Sequence, residues 1–579
     1  MTKLQRPKWK FPDCDTNAVD TLASDLNINP LTARLLINRG LSTREAANRF
    51  LKPDYDQLHD PMLLPDMELA SERIAIAIES GEKIFVHGDY DVDGVTSTAV
   101  YVRTLKSLKA DVEYKVPHRQ TDGYDLRIAG VDRANELGAT LIITSDCGIL
   151  AFDAIDYASS LGIDVIVTDH HEPGDRLPNA CAVVNPHRVD SKYPFPHLAG
   201  VGVAFKTMQA VVRLIKPDFE QSFLRKFVDL VACGTIADVM PLVDENRVFV
   251  WYGLKALATT NKPGLRALIK ASQMDASKPI TTYTIGFGLA PRVNAVGRMD
   301  DADVALQLML TQDAALAEQL VSQLNSWNVE RQTAQKQIFA QALEMVEAQG
   351  KQNSNVIVLA SEGWNSGVVG IVAGKLVETF YRPAIVIALD KEKGTGKGSA
   401  RSVEGFNIVE GIQQCAHLLT SCGGHEMAAG IGLSLENVEE FNRQLNLIAA
   451  KHVSAEDLVP IMRHDGIIEP SEISVELLEE WEMLAPFGEK NPEPRFASTK
   501  IGVEYAKRIG KDLSHLRLRL NLGAGQGTDC VGWGQGDWVD QLNGNSTIDL
   551  LYTPQINVWN ERRNVQFELR DLRQYEDGL

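Results

Sequence analysis

The feature that most constrains this chain is a run of three alternating carboxylates that follows an apolar, β-branched segment. Lys83–Val86 predict a buried strand, and Asp89, Asp91 and Asp93 come next within H-G-D-Y-D-V-D-G. In an extended chain, residues two apart share one face, so three like charges would repel one another strongly. The run therefore indicates either a site that holds cations or a solvated acidic turn.

A calcium loop of the EF-hand type begins with a similar D-x-D-x-D-G pattern. That loop requires Glu at its twelfth position and a helix before it. Here the twelfth position is Val100, and the segment before the loop predicts a strand. The sequence excludes an EF-hand, and the two interpretations above remain.

Three later segments also place Asp or His at the end of an apolar run. Asp146 follows Ile142–Thr144, the pair His170-His171 follows the strand-like run that ends before Asp169, and Asp238 interrupts an apolar stretch. Each has an ordinary structural explanation when taken alone, because a single Asp often caps a helix and a histidine pair is often structural. A buried Asp, however, needs a cation or hydrogen bonds, since an unpaired buried charge is costly.

From about residue 71 the chain alternates short β-branched runs with helix-like segments. The runs are Lys83–Val86, Val112–Val116, Thr140–Thr144 and Asp164–Thr168. This rhythm predicts a parallel sheet wrapped by helices. Open sheets of this kind bind ligands at the carboxyl ends of their strands, where the Asp and His residues lie.

The rest of the chain predicts further units. The stretch from Asp301 to Gln349 lacks Gly and Pro and predicts a long helix, and a second α/β unit begins near Asn355. After about residue 456, alternating patterns such as Leu516, Leu518 and Leu520 predict a small β-barrel of the OB type. The predicted fold is α/β: two parallel-sheet domains joined by a long helix, plus the barrel. The predicted domains are residues 1–70 (helical), 71–255 and 351–455 (α/β), 256–350 (connecting helices) and 456–579 (barrel).

The four Asp and His segments, in this order and at predicted strand ends, resemble the DHH phosphoesterase superfamily, which takes its name from the triplet Asp169-His170-His171. The resemblance continues through residues 198–206 and 288–298 and covers nearly the whole chain. Within the superfamily, the chain is similar to the single-stranded-DNA-specific exonucleases. The first α/β unit would then be the DHH domain and the second the DHH-associated domain.

The resemblance implies a site for two divalent metal ions, with Asp146 as the bridge between them. Oxygen ligands suit Mg²⁺ or Mn²⁺, and an imidazole shifts the preference towards Mn²⁺. His171 would face the scissile phosphate, and Asp89, like His87, would be a further ligand or a supporting group; we assign His171 and Asp89 as catalytic. The implied metal ligands are Asp91, Asp93, Asp146, His170 and Asp238.

The resemblance also implies contacts to the phosphates of the substrate. Glycine-rich turns let the backbone approach a phosphate, and arginine offers a forked donor. At two positions the chain departs from the family: Asn365 stands where His is usual, and Asp125 where Gly is common. The implied substrate-binding residues are Arg119, Arg292, Ser399, Arg401 and His425.

The resulting expectation is a metal-dependent exonuclease for single-stranded DNA that runs 5′ to 3′, releases mononucleotides and acts in recombination and repair. The family implies a helicase and single-strand-binding protein as partners. One alternative is a phosphodiesterase for short oligonucleotides or cyclic dinucleotides, or a pyrophosphatase. Another is a non-catalytic replication scaffold, which should have lost ligands that this chain keeps.

Composition bears on partners and location. The net charge of −19 is unfavourable for nucleic acid, but it is only a mean. The barrel combines basic residues with Trp533, Trp538, Tyr552 and Trp559, a composition typical of proteins that bind single strands, although core aromatics are the alternative for each ring. Seven scattered cysteines, no apolar run of spanning length and a start without an apolar core predict a reduced, cytoplasmic protein without a membrane segment.

Overall fold

The computed structural model describes residues 6–117, 123, 125–272, 278–299, 303–454, 456–523, 527–542 and 544–575, without the side chains of residues 298 and 299. The N-terminal region is a short strand and three helices, each helix capped by the side chain of the residue before it. Its elements are β1 (Lys8–Lys10), α1 (Thr16–Leu26), α2 (Pro30–Asn38) and α3 (Arg44–Leu51).

The first α/β domain contains a five-stranded sheet in the order β3-β2-β4-β5-β6, and every pairing is parallel. This confirms the predicted parallel sheet. The carboxyl ends of β2, β4 and β5 therefore lie side by side at one edge. The elements are α4 (Met67–Ser80), β2 (Lys83–Gly88), α5 (Val92–Ser107), β3 (Asp111–Lys115), α6 (Ile128–Glu136), β4 (Leu141–Ser145), α7 (Phe152–Ser160), β5 (Asp164–Thr168), β6 (Ala182–Val184), α8 (Gly200–Ile215), α9 (Glu220–Ala237) and α10 (Asp244–Ala258).

A long helix follows, as predicted, but it does not begin at Asp301. Asp313 accepts hydrogen bonds from the N–H groups of Ala315 and Leu316 and starts a new helix of 35 residues. The break between the two helices contains no Gly or Pro, because the second helix restarts at an Asp cap. Composition therefore did not reveal the break. The elements are α11 (Pro263–Ala271), a π-helix (Thr284–Leu289), α12 (Ala290–Met299), α13 (Asp303–Leu310) and α14 (Ala314–Ala348).

The second α/β domain has a sheet in the order β10-β11-β9-β8-β7 that is parallel only between β7 and β8. The other pairings are antiparallel, whereas a parallel sheet was predicted. For two of these pairings the reason is local: four residues join β8 to β9 and two join β10 to β11, and such short turns can connect only antiparallel neighbours. The elements are β7 (Ile357–Glu362), α15 (Val369–Phe380), β8 (Ala384–Asp390), β9 (Thr395–Arg401), α16 (Ile408–Gln413), β10 (Leu419–His425), β11 (Ala428–Ser434) and α17 (Val438–His452).

The C-terminal region closes into a barrel with strand order β13-β14-β15-β17-β16, which confirms the predicted barrel. The alternation at Leu516, Leu518 and Leu520 places these three side chains fully inside. The elements are β12 (Ile461–Arg463), α18 (Val475–Glu480), β13 (Phe496–Ile509), β14 (His515–Asn521), β15 (Gly527–Gly532), β16 (Thr547–Trp559) and β17 (Arg562–Gln574).

The N-terminal helices share one hydrophobic core with the barrel. Leu22, Leu36 and Phe50 pack in the same cluster as Trp481 and Phe496. In addition, β1 pairs in parallel with β12, so the N-terminal region and the barrel region form one body. Among the described residues, no helix combines the length and apolar character needed to cross a bilayer.

Candidate metal centre

The carboxyl edge of the first sheet brings together all five residues assigned as metal ligands. Asp91 and Asp93 follow β2, Asp146 follows β4, His170 follows β5, and Asp238 ends α9. Their donor atoms, with those of Asp89 and His171, fall into three overlapping groups. Within each group the donor atoms lie no more than 4.8 Å apart: Asp89, Asp91 and Asp146; Asp93, His170 and Asp238; Asp146, His170 and His171.

Asp146 is common to two of the three groups, which is the position that a bridging carboxylate requires. Its Oδ1 lies 3.1 Å from His170 Nε2, and the same nitrogen lies 3.6 Å from Asp238 Oδ2 and 3.8 Å from Asp93 Oδ2. One imidazole nitrogen thus faces carboxylates from three different elements. This arrangement of carboxylates around an imidazole could bind two metal ions side by side.

Backbone N–H groups hold the carboxylates in place. Asp91 caps α5 by accepting a hydrogen bond from the N–H of Gly94 at 3.1 Å. Asp93 accepts hydrogen bonds from the N–H groups of Gly200 at 2.6 Å and Val201 at 2.9 Å, at the start of α8. A side chain at position 200 would place its Cβ 2.3 Å from Asp146 Oδ1, so the approach of α8 requires glycine.

Asp169 orients both histidines, a role that the sequence reasoning did not assign. Its Oδ1 accepts hydrogen bonds from the N–H groups of His170 at 2.7 Å and His171 at 3.1 Å, and lies 2.7 Å from His171 Nδ1. Its Oδ2 accepts a hydrogen bond from the N–H of Ile149, in the loop after β4. Carboxylates that hydrogen-bond to histidine commonly fix its tautomer and orientation. The first residue of the triplet was the available signal.

The second residue missed from sequence is Asn294 on α12. Its Oδ1 accepts a hydrogen bond from the N–H of Val92 at 3.1 Å, and a Cβ at Gly297 would lie 3.1 Å from Tyr90 Cδ2. Helix α12 therefore packs directly on the turn that carries Asp91. The segment 288–298 is part of the resemblance, but the sequence analysis assigns a role there only to Arg292 and none to Asn294.

The cluster is electrostatically unfavourable unless cations neutralise it. Burial, the carboxylate of Asp238 and that of Asp91 raise the pKa of Asp93 well above its usual range. Burial and four neighbouring carboxylates, those of Asp93 and Asp91 foremost, do the same to the pKa of Asp146. Burial and the carboxylate of Asp91 raise the pKa of Asp238 to about 7. Such shifts reflect anions held close together in a medium that solvates them poorly.

The pKa values of the two histidines are shifted in opposite directions. Burial and the neighbouring His171 lower the pKa of His170 to about 4, so its imidazole is neutral at pH 7 and able to bind a metal. Burial alone would also lower the pKa of His171, but its hydrogen bond to Asp169 outweighs this and raises the pKa to about 9. His171 is also the more exposed ring, with 37% of its side chain accessible against 9% for His170.

The donor set fits two divalent cations. Among the described residues, Asp146 Oδ1 accepts no hydrogen bond although it is buried. A buried carboxylate oxygen is normally satisfied, and a metal ion would satisfy this one. Carboxylate oxygens with one or two imidazoles are typical ligands of Mn²⁺ and Mg²⁺. Asp89, assigned as catalytic, is 4% exposed and belongs to one of the donor groups, which places it among the candidate ligands.

The residues assigned to substrate lie elsewhere. Arg119 lies outside the described residues. Arg292 donates hydrogen bonds to Asn325 Oδ1 at 2.7 Å, Gly288 O at 2.5 Å and Ala271 O at 3.2 Å, so it ties α12 to α11 and α14. These three bonds give Arg292 a structural role that the sequence did not indicate.

Ser399, Arg401 and His425 lie on the second sheet. Ser399 and Arg401 project from β9 towards the start of α15, where a Cβ at Gly370 would be 3.1 Å from Ser399 Oγ and 3.4 Å from Arg401 Nη2. His425, at the end of β10, is exposed. In the loop before α15, Asn365 Oδ1 accepts a hydrogen bond from the N–H of Gly367 at 2.7 Å, so this residue closes a turn where the family usually has His.

On the barrel, the aromatic residues divide between surface and core. Trp533 and Trp559 are 59% and 72% exposed, whereas Tyr552 is fully buried and Trp538 packs against the core. Several of the barrel arginines are paired with acids: Arg508 with Asp540, Arg517 and Arg519 with Asp529, Arg563 with Glu479. The exposed rings are thus the more distinctive surface feature.

Comparison with known proteins agrees with this architecture. Sequence models of the DHH family N-terminal domain, the DHHA1 domain and the RecJ OB domain match residues 83–235, 353–451 and 464–571. RecJ of Bacillus subtilis (strain 168) is 42% identical over 97% of this chain and 70% of its own length, and RecJ of Escherichia coli (strain K12) is 34% identical over 94% and 96%. Both are named single-stranded-DNA-specific exonucleases.

Solved structures give the same result. The crystal structure of RecJ from Thermus thermophilus in complex with Mn²⁺ matches 99% of this chain and 80% of its own, with a TM-score of 0.84 and 30% identity. The structure of RecJ from that organism with Mg²⁺ matches with a TM-score of 0.78 and 29% identity over 99% of this chain and 79% of its own. The fold and the Asp–His cluster thus define a DHH-type protein. With relatives this similar over nearly the whole chain, it belongs to the RecJ family.

Proposed function

We propose that this protein is a metal-dependent exonuclease that hydrolyses the phosphodiester bonds of single-stranded DNA. The observation that carries the proposal is the set of three overlapping donor groups, joined through Asp146 and His170, at the carboxyl edge of the first sheet. The names of the relatives and the Mn²⁺ and Mg²⁺ complexes of similar structures support the substrate and the cofactor.

Two divalent ions would be held by Asp91, Asp93, Asp146, His170 and Asp238, with Asp89 as a further ligand. When bound, such ions lower the pKa of a water molecule and offset the charge of the phosphate and of the leaving oxygen. The neutral imidazole of His170 suits it as a ligand. The N–H groups at the start of α8 keep the carboxylate of Asp93 aimed into the cluster.

We propose that His171 contacts the scissile phosphate. Asp169 contacts its Nδ1, so Nε2 is the nitrogen that would donate a hydrogen bond to a phosphate oxygen. In the metal-free protein, the hydrogen bond to Asp169 raises the pKa of His171 to about 9, which keeps the ring protonated at neutral pH. This cationic ring complements a phosphate that arrives at the exposed side of the cluster.

The second domain and the barrel would hold the rest of the strand. Ser399, Arg401 and His425 offer a hydroxyl, a guanidinium and an imidazole to phosphates on the second sheet, and Arg119 and Arg292 remain proposed contacts. On the barrel, Trp533 and Trp559 offer exposed rings on which bases can stack.

We further propose that the enzyme runs 5′ to 3′, releases mononucleotides and acts in recombination and repair beside a helicase and single-strand-binding protein. The polarity, products and partners rest on the family. We also propose a cytoplasmic location, which is supported by the seven cysteines, all of which are free thiols.

Digestion of end-labelled DNA tests the proposal. With Mn²⁺ or Mg²⁺, we expect a 5′-labelled single strand to release its label as a mononucleotide at once, whereas a 3′-labelled strand shortens progressively. A blunt duplex of the same sequence should be digested far more slowly. Equal rates on duplex and single strand, or a preference for dinucleotides over long strands, would contradict the proposal and favour a small-substrate phosphodiesterase.

A further inference from the structure

Arg247, on the first turn of α10, is a buried cation whose partners are backbone carbonyls. It is 2% exposed, it forms no salt bridge with the described residues, and its guanidinium carbon lies 3.6 Å from the centre of the Phe50 ring. Its Nε–H donates to Phe50 O at 2.7 Å, its Nη1 to Leu484 O at 3.1 Å, and its Nη2 to Met483 O at 3.1 Å and Ala485 O at 2.7 Å. Burial lowers its pKa to about 9, as expected for a charge that no anion balances.

The carbonyls that Arg247 binds near the barrel belong to residues 483–489, which we call the clasp segment. This segment connects the short helices of the C-terminal region to the barrel. Two further bonds reach it from the same side: the N–H of Leu242 donates to Glu489 O at 2.9 Å, and Thr282 Oγ1 donates to Phe487 O at 2.6 Å.

The clasp segment is also held by the body that contains the barrel and the N-terminal helices. Asn491 Nδ2 donates to Leu484 O and Pro486 O, each at 2.8 Å. Arg39, which follows α2, donates from Nε to Asn491 Oδ1 at 2.7 Å. The clasp segment is therefore bonded both to the barrel body and to α10 and its neighbours, and Leu484 O accepts a hydrogen bond from each.

The first turn of α10 is bonded to other elements of the first α/β domain, which carries the candidate metal centre. Glu245 forms a fully buried pair with Lys206 of α8, the helix whose first N–H groups bind Asp93. Asn246 Nδ2 donates to His197 O at 2.6 Å, in the segment before α8. Arg247 thus has its Cα in the metal-bearing domain and its guanidinium in contact with the other body.

We propose that Arg247 is a positioning residue that fixes the orientation of the barrel body relative to the first α/β domain. In this orientation, one long strand can contact both the exposed rings of Trp533 and Trp559 and the candidate metal centre. The proposal rests on the proposed function. Bonds to three successive carbonyls fix direction as well as distance. Apolar packing alone would hold the two bodies together without fixing their orientation. Burial of a charge costs desolvation free energy, so it is a poor means of association alone.

A specific pattern of activity follows from this geometry. We expect a dinucleotide to need only the candidate metal centre and its surroundings, because both of its nucleotides adjoin the bond that is cleaved. A long strand can contact the barrel and the candidate metal centre at the same time only if the two are correctly oriented relative to each other. Loss of the orientation should therefore raise the KM for long strands and leave dinucleotide hydrolysis unchanged, a split that a general loss of folding would not produce.

The test compares Arg247→Lys with the wild type on a long single strand and on a dinucleotide. Lysine keeps the charge but cannot reach four carbonyls in a planar fork. We expect the KM for the long strand to rise about tenfold, because contacts to bases at the barrel are lost, and dinucleotide kcat/KM to stay within about twofold. Arg103→Lys is the matched control, since Arg103 on α5 donates to Met309 O on α13 at 2.8 Å and not to the clasp segment; it should leave the ratio of the two activities unchanged.

Small-angle scattering separates this proposal from the proposed function, because it requires no substrate. We expect Arg247→Lys, and to a smaller degree Thr282→Val, to increase the radius of gyration. Thr282→Val removes one hydroxyl and provides a folded variant even if the arginine variant is unstable. Unchanged scattering with an unchanged activity ratio would overturn the proposal, as would equal losses on both substrates. A wild type inactive on single strands would instead refute the proposed function.

Discussion

The two α/β domains present opposite charges at their functional edges. In the first, Asp93 and Asp146 are almost completely buried among other carboxylates. In the second, Ser399 and Arg401 are half-buried and His425 is exposed. The first edge can approach a phosphate only through cations, whereas the second can bind a phosphate directly. The difference agrees with the proposed function, in which the first edge carries the chemistry and the second retains the strand.

The comparison predicts its largest effect at the shared ligand. We expect Asp146→Ala to lower exonuclease activity by more than about 10³-fold, because both candidate ions lose a ligand. The same change should not lower the Tm of the metal-free protein, since it removes a buried charge. Digestion assays and calorimetry measure the two effects. Asp153→Ala, an exposed acid on α7, is the control. A variant that retains full exonuclease activity would contradict the role of Asp146 as a shared ligand.

A second prediction concerns the orientation of the histidines. Asp169→Asn should reduce activity by about 10–100-fold, the usual cost of losing a carboxylate that supports a ligand. It should also lower the pKa of His171 from about 9 towards the ordinary value, because the ion pair is lost. NMR titration of the metal-free variant measures that pKa. An unchanged pKa would show that Asp169 does not set the charge of the ring.

The second edge should affect binding rather than chemistry. Arg401→Lys keeps the charge but loses the fork, so we expect KM for single strands to rise about tenfold while kcat changes little. Lys393→Ala serves as the control because Lys393 is an exposed cation in the turn between β8 and β9, paired with Asp390. A fall in kcat with an unchanged KM would place Arg401 at the reacting phosphate instead.

The smallest predicted effect is on stability. Without metal, the pKa of Asp238 is raised to about 7, so the folded protein binds a proton that the unfolded chain has released. Stability is then highest at low pH and falls as the pH rises from about 4 to about 7. Metal ions bind the deprotonated cluster and should restore it. We therefore expect Mn²⁺ to raise Tm by more degrees at pH 7.5 than at pH 5.5 in thermal scans; an equal rise would contradict this view.

Much of this could be predicted from the sequence because the relevant signals are local. Period-two and apolar runs located the strands β2, β4 and β5, and a parallel sheet then brings the residues after them to one edge. The five assigned ligands lie together for that reason. The barrel was equally readable, because leucines alternate with arginines along β14.

What escaped prediction depends on contacts between distant elements. Asn294 contacts the turn after β2 across about two hundred residues, and its amide is ordinary in sequence. Arg292 has three structural acceptors that no motif reveals. The start of α14 depends on a single cap at Asp313, and the antiparallel strands of the second sheet depend on short turns that the apolar runs did not report.

The shared core of the N-terminal helices and the barrel has a consequence for biosynthesis. Phe50 needs partners such as Phe496, which the ribosome adds more than four hundred residues later. At typical elongation rates of about 5–20 residues per second, the amphipathic helices wait on the order of 20–90 s with their apolar faces uncovered. The nascent chain therefore exposes this apolar surface until the ribosome has added the barrel, which makes this interval the one in which the chain is most prone to aggregate.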